Sequence, residues 1–243
     1  MKQLRLLLIL FVAACFAACK KVPLADQATV TTQTKTTATP TVVILGSSTA
    51  EGAGANPADS SWAYRVQTAV NQNGAKANFV NLAVGGYTTY QAMPTGYNVS
   101  GRPAPDTAHN ITKALSYHPA LVIIDFPSND IADNYTGQEI VNNYNRMTQA
   151  LDSAKVQYII FSTQPRDFSD PNQRMRLKTL NDTVKSVYTY HVNDFLDQLS
   201  TSTYSIKPQY EAGDGIHVNN SGHTVIYNAT LAQPVFISIF PNL

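Results

Sequence analysis

Four short stretches of this chain carry residue types able to break an ester. Gly46-Ser47-Ser48-Thr49 offers a hydroxyl, which is a poor nucleophile at neutral pH until a base takes its proton during attack. Asp214-Gly215-Ile216-His217 offers that base, because imidazole titrates near neutrality and can return the proton to a leaving group. The acid three residues before the His could orient its ring, and one turn would deliver both groups. Between these stretches lie Asn81-Leu82-Ala83-Val84-Gly85-Gly86 and Ser128-Asn129-Asp130. A glycine lets backbone approach a substrate closely, and an asparagine amide is a hydrogen-bond donor. Attack on an ester carbonyl creates a tetrahedral oxyanion, and fixed donors aimed at it contribute about 2.7–4 kcal/mol each.

Each stretch taken alone is weak. Gly-Ser-Ser is common in loops, Asn129-Asp130 is more often a turn or cap, and Asp214-x-x-His217 could be a structural turn. Position gives them weight. Ser48 follows the apolar run Thr41 to Leu45, Gly86 follows the strand predicted over Ala77 to Asn81, and Asn129 follows Leu121 to Phe126. Further strands are predicted over Val156 to Ser162 and Tyr190 to Phe195. Helices are predicted from Ser60-Ser61 to about Asn73, from Asp106 through Leu115, over Gln138 to Ala154, from Pro171 to about Tyr188, and from Asn219 to about Ile239. Apolar strands alternating with helices argue for a parallel sheet covered on both faces. In such sheets ligands bind beyond the carboxyl ends of the strands, where Ser48, Gly86 and Asn129 all fall.

In this order and spacing the four blocks resemble the SGNH (GDSL) hydrolase family, over about Thr41 to Phe240. The resemblance implies a flavodoxin-like three-layer α/β/α sandwich with a parallel, about five-stranded sheet. It implies Ser48 as nucleophile, His217 as base and Asp214 as orienting acid. The oxyanion donors it implies are the Ser48 N–H, the Gly86 N–H and the Asn129 side chain. Hydrolysis would run through an acyl-enzyme, without metal or cofactor. The substrate range implied is an O-acyl ester on a carbohydrate or a small lipid-like ester. Two departures stand out. The family's Gly-Asp-Ser is Gly46-Ser47-Ser48, so bracing of the nucleophile loop must pass to Ser47 or elsewhere. The usual glycine before the Asn block is absent, leaving Pro127-Ser128-Asn129-Asp130, and proline fixes the loop's approach.

Rival readings are open on the sequence. An α/β-hydrolase would carry Gly-x-Ser-x-Gly after several strands, whereas Ser48 follows the first and Ala50 replaces the last glycine. A non-catalytic glycan-binding lipoprotein would keep the fold without needing the three catalytic types. Asp194 is a rival triad acid, and Asp214, His217 and His223 could together ligate a metal. Otherwise His223 reads as structural, and His109, His118 and His191 as surface or packing residues. Tyr87, Tyr90 and Tyr97 either line a substrate groove or pack their own loop, and Arg166 either meets a substrate or is solvated.

The chain has 243 residues, 44% hydrophobic and 14% charged, which suits one sizeable domain with a core. Its net charge of +1, without a basic stripe, argues against nucleic acid. Lys2 and Arg5 precede the apolar run Leu6 to Ala14, which is short for a membrane span and reads as a signal peptide over residues 1–18. Ala17-Ala18-Cys19 resembles a bacterial lipoprotein cleavage site, with Cys19 lipidated. Val12-Ala13-Ala14-Cys15 is the rival. Residues 19–40 read as a Thr-rich tether and residues 41–243 as the domain. Both cysteines lie in the leader, so the domain has no disulfide, thiolate nucleophile or Cys-based metal site. The expectation is an exported, membrane-anchored lipoprotein acting on a small ester or acylated carbohydrate, with the membrane face and oligomeric state left open.

Overall fold

Residues 38–126 and 128–243 are described by a computed structural model. The predicted signal peptide, both cysteines and most of the predicted tether lie outside the described residues.

Five strands pair in parallel: β1 (Thr41–Gly46), β2 (Asn78–Asn81), β3 (Leu121–Asp125), β4 (Gln157–Phe161) and β5 (Val192–Asn193). Their order is β2-β1-β3-β4-β5. Successive side chains of a strand point to opposite faces, so each apolar strand feeds two cores. Val43 and Leu45 of β1 join Val122 and Ile124 of β3 on one face, while Val42 and Ile44 join Leu121 and Ile123 on the other.

The helices are α1 (Ser48–Glu51), α2 (Trp62–Gln72), α3 (Ile111–Leu115), α4 (Ser128–Ala132), α5 (Gly137–Ala154), α6 (Pro171–Tyr188), α7 (Leu196–Leu199), α8 (Asn220–Leu231) and α9 (Pro234–Ile239). Helices α3, α5 and α6 cover the first face through Ile111, Tyr144, Met147 and Leu180. Helices α2, α8 and α9 cover the second through Trp62, Val66, Ile226 and Phe236. The result is a three-layer α/β/α sandwich with a parallel five-stranded sheet, as the resemblance implied, and the sheet is covered on both faces, as the apolar pattern implied. Among the described residues no helix is long and apolar enough to cross a membrane.

Local chemistry explains where element ends depart from expectation. Helix α5 starts in a capping box, Thr136 with Glu139, and α6 starts at Pro171 as predicted. The helix predicted from Asp106 begins only at Ile111. Asp106 spends its carboxylate on the Ala108 N–H and the Tyr87 hydroxyl, and Asn110 is the cap, accepting from the Lys113 N–H. The predicted last helix is two, because Pro234 cannot donate to the ladder and Gln233 caps a new start by accepting from the Phe236 N–H. The fifth strand shrinks to two residues, since a 3-10 turn occupies Thr189–His191.

The chain leaves the sheet in opposite directions on the two sides of the β1–β3 pair. This reversal of strand order opens a crevice beyond the carboxyl ends of β1 and β3. His223, fully buried at the start of α8, ties the crevice wall together. Its Nδ1 accepts from the Trp62 N–H at 3.3 Å, so Nε2 carries the proton, which it donates to the Ala53 carbonyl at 3.0 Å. Burial pushes its pKa from 6.5 down to about 4. The unfolded chain therefore takes up a proton as pH falls below about 6.5, while the folded one resists until about pH 4. Stability should drop across that window by up to about 3 kcal/mol. Urea midpoints at pH 7 and pH 4.5 check this: His223→Gln can keep both hydrogen bonds without titrating, so its midpoint should fall less than wild type. Equal falls would remove His223 as the source.

Candidate active site

Gly46 ends β1 against β3. A Cβ there would lie 2.6 Å from the Ala50 Cβ and 2.7 Å from the Asp125 carbonyl oxygen, so only glycine lets α1 start so tightly. The Ser47 N–H donates to the Asp125 carbonyl at 3.1 Å, which leaves Ser48 as the first residue of α1. The short helix is pinned from outside: Trp62 Nε1 donates to the Thr49 carbonyl at 3.1 Å and Asn81 Nδ2 to the Ala50 carbonyl at 2.8 Å.

The second half of the site is the loop before α8. Glu211 Oε1 accepts the N–H groups of Gly213, Asp214 and Gly215 at 2.8, 2.8 and 2.6 Å, curling the loop around one carboxylate oxygen. Asp214 Oδ1 then accepts the N–H groups of Ile216 and His217, both at 2.8 Å. Its other oxygen, Oδ2, lies 2.6 Å from His217 Nδ1, and His217 Nε2 lies 2.8 Å from Ser48 Oγ. Asp214, His217 and Ser48 are thus joined in one unbroken chain of hydrogen bonds. Burial alone would raise the Asp214 pKa, but the backbone and ring hydrogen bonds from His217 and the Ile216 N–H outweigh it and hold it at about 2. The carboxylate is ionised at any ordinary pH, so Nδ1 carries the proton and Nε2 presents its lone pair to the serine hydroxyl.

Two further segments border Ser48. Gly85 lies close enough that a Cβ on it would sit 3.7 Å from the Ser48 Cβ, and its N–H donates to Glu51 Oε2 at 2.8 Å. Gly86 follows with φ +82°, a left-handed conformation that favours glycine. Among the described residues its N–H has no acceptor. Asn129 stands in the first turn of α4, with Nδ2 donating to the Tyr87 carbonyl at 3.0 Å and Oδ1 accepting from Arg166 Nη1 at 3.2 Å. The neighbouring Asp130 is fully buried and accepts the Thr89 N–H at 3.1 Å and its hydroxyl at 2.5 Å. These bonds stitch the Gly86 loop to α4. Burial pushes Asp130 up to about 7 against the lowering effect of the Thr89 bonds. Glu51 and Asp130 thus brace the loops beside Ser48, while the Ser47 side chain makes no capping bond.

The model of the GDSL-like lipase/acylhydrolase family matches residues 44–225. The chain belongs to that family. It is an ester hydrolase of the SGNH type. No curated protein matches it. Among solved structures it is similar to the psychrotrophic esterase EstA from Pseudoalteromonas sp., with TM-score 0.60 and 14% identity over 84% of this chain and 99% of that one. It is similar to a GDSL-like lipase from Bacteroides thetaiotaomicron, with TM-score 0.55 and 18% identity over 84% and 89% of the two chains. A two-domain esterase active on acetylated mannans aligns with TM-score 0.54 and 16% identity over 83% of this chain and 49% of that one. At these identities the likeness is one of fold.

The remaining polar candidates of the hydrolase have other partners. Asp194 pairs with Lys185, away from His217. His223 has both ring nitrogens engaged by backbone, so it has none to offer a metal. Tyr87, Tyr90 and Tyr97 hold their loop in place, Tyr87 on the loop's own end and the other two on α5. The Tyr87 hydroxyl donates to Asp106, Tyr90 is buried and donates to Glu139, and Arg146 lies 4.9 Å over the Tyr97 ring. Arg166 is half-buried beside Asn129, and so is not simply a solvated surface residue. The bracing roles of Glu211, Glu51 and Asp130 do not follow from the motifs. Glu211 alone left a signal in the sequence, an acid just upstream of Gly213-Asp214-Gly215, where successive N–H groups need an acceptor.

Proposed function

We propose that Ser48 is the nucleophile of a serine esterase, His217 its base and later its acid, and Asp214 the group that orients the ring. Ser48 Oγ attacks the ester carbonyl as its proton passes to His217 Nε2. The tetrahedral oxyanion receives the N–H groups of Ser48 and Gly86 and the second Nδ2 proton of Asn129. Collapse breaks the bond to the alcohol, which leaves with the proton from His217. Water then attacks the acyl-Ser48 ester by the same route, releasing the acid. The observation that carries this reading is the continuous hydrogen-bond chain from Asp214 through His217 to Ser48 Oγ, at 2.6 and 2.8 Å.

The substrate in this reading is an O-acyl ester on a carbohydrate, with small lipid-like esters as the alternative. The site is open: Ser48 is half-buried and the Asp214 side chain is 46% exposed, which admits a bulky alcohol. A cavity of about 570 Å³ between β2 and α2 begins at Glu51, which also holds Gly85. Tyr64, Phe79 and Gln67 in its wall offer ring faces and an amide of the kind sugars meet. The structural likeness to an esterase active on acetylated mannans supports the carbohydrate side of this choice. The leader sequence supports export and lipidation on Cys19, which would hold the domain at a membrane through acyl chains.

A fluorophosphonate probe tests the nucleophile. Wild type should be labelled once, on Ser48 by peptide mapping, and folded Ser48→Ala should not be labelled. Labelling of another residue, or none of wild type, would sink the assignment.

A further inference from the structure

We propose that Arg166 is a positioning residue for Asn129: by donating from Nη1 to the amide Oδ1 it turns Nδ2 toward the developing oxyanion. This rests on the proposed function of the Ser48 site.

An asparagine amide has two faces of opposite polarity, and only one orientation serves an oxyanion. Here two fixed groups select that orientation. The Tyr87 carbonyl, 3.0 Å from Nδ2, demands a donor, and Arg166 Nη1, 3.2 Å from Oδ1, demands an acceptor. A flipped amide would set carbonyl against carbonyl and N–H against N–H. Because Arg166 is cationic, its bond is charge-assisted and also polarises the amide, making the free Nδ2 proton a better donor.

The guanidinium is held for this task. Its segment follows β4 through the buried Thr163, Gln164 and Pro165. It is fastened to the loop that carries the acid and base: Gln164 Nε2 donates to the Ile216 carbonyl at 3.3 Å and the Asp167 N–H to the Gly215 carbonyl at 2.8 Å. The head group lies 4.9 Å over the Phe168 ring, with a longer contact to Ser128 Oγ at 3.5 Å. Among the described residues no carboxylate pairs with it within 4.0 Å. Burial lowers its pKa, while Asp133 and Asp214 favour its charge from farther away. Arg166 therefore spans the two halves of the site, linking the Asp214–His217 loop to the amide on α4.

The test is a double-mutant cycle on p-nitrophenyl acetate, a substrate with no charge for Arg166 to bind. Asn129→Ala should lower kcat by about 10²–10³-fold, as loss of one oxyanion donor does. Arg166→Met should lower kcat about tenfold or more with KM little changed, and Arg166→Lys should recover part of that loss. In the Asn129→Ala background Arg166→Met should then cost less than about twofold, because nothing remains to be oriented. Equal losses in both backgrounds would overturn the inference. So would an Asn129→Ala enzyme with full kcat, or an Arg166 effect seen only in KM for carboxylate-bearing esters, which would make Arg166 an anion-binding residue. Should Arg166→Met fail to fold, the same cycle run with Arg166→Gln decides, with a smaller expected loss because the amide can still donate. Failure of the underlying function is separately visible: Ser48→Ala would then keep its turnover.

Discussion

Replacing Ser48 with alanine is expected to lower kcat about 10⁶-fold while leaving the fold intact. The size of the loss follows from how the proposed parts depend on one another. His217 has no proton to take without the hydroxyl, and the oxyanion donors have no covalent adduct to stabilise. The residual rate, about 10³–10⁴-fold above water, would come from binding and from those donors acting on an attacking water. The fold should not notice, because among the described residues the Ser48 side chain makes one hydrogen bond, to His217 Nε2, and α1 is held through its backbone by Trp62 and Asn81. Thermal stability should stay within about 0.5 kcal/mol of wild type. Hydrolysis of p-nitrophenyl esters by the soluble domain checks this, with circular dichroism as the control for folding. Folded Ser48→Ala retaining more than about a hundredth of wild-type turnover would move the nucleophile elsewhere. The chain-length profile of wild type would at the same time separate a deacetylase from a lipase-like enzyme.

The polar blocks were legible in the sequence because each sits where a parallel sheet delivers chemistry. Val42 to Leu45 and Leu121 to Ile124 are apolar on both faces, so they had to be central strands, and Ser48 and Asn129 had to emerge side by side. The register pairs Gly46 with Asp125, bringing the two strand ends level. Asp214 and His217 were legible as a pair because a spacing of three closes in one turn. What stayed hidden were the partners that cross between segments. Glu51 stands in none of the motifs, yet its carboxylate takes the Gly85 N–H from a loop far along the chain. Asp130 looked like part of a cap, but it is fully buried and binds Thr89. Arg166 could be read as solvated because nothing local to Gln164-Pro165-Arg166 says that Asn129 lies opposite. Long-range polar contacts follow from the packed fold, and a periodicity argument has no access to them. The tyrosines were open to either reading, groove or packing, for the same reason: the partner that holds the Tyr90 hydroxyl, Glu139 on α5, lies far along the chain.

Asp214→Asn is the more revealing of the two large effects, because it should change geometry very little and still lower kcat about 10⁴-fold. Asp214 Oδ1 accepts two backbone N–H groups, from Ile216 and His217, and only an oxygen can fill that place. An asparagine at this position must keep its oxygen there, which turns its NH₂ toward His217 Nδ1, where Oδ2 now lies at 2.6 Å. A donor facing Nδ1 forces the ring proton onto Nε2, so the nitrogen facing Ser48 Oγ donates when it should accept. The serine proton then has no base. The wild-type carboxylate avoids this at every working pH, since hydrogen bonds hold its pKa at about 2. Its stabilising contribution is complete above its unfolded value of 3.8 and is lost only as pH falls through about 2, so Asp214 adds no titration to the neutral pH–rate profile. Kinetics with p-nitrophenyl acetate and ring-nitrogen NMR of His217 check both halves of the argument. The expected pattern is a collapsed kcat together with a proton moved from Nδ1 to Nε2. A variant that keeps a tenth of the wild-type rate, or that loses its rate with the proton still on Nδ1, would show that Asp214 does not set the ring's tautomer.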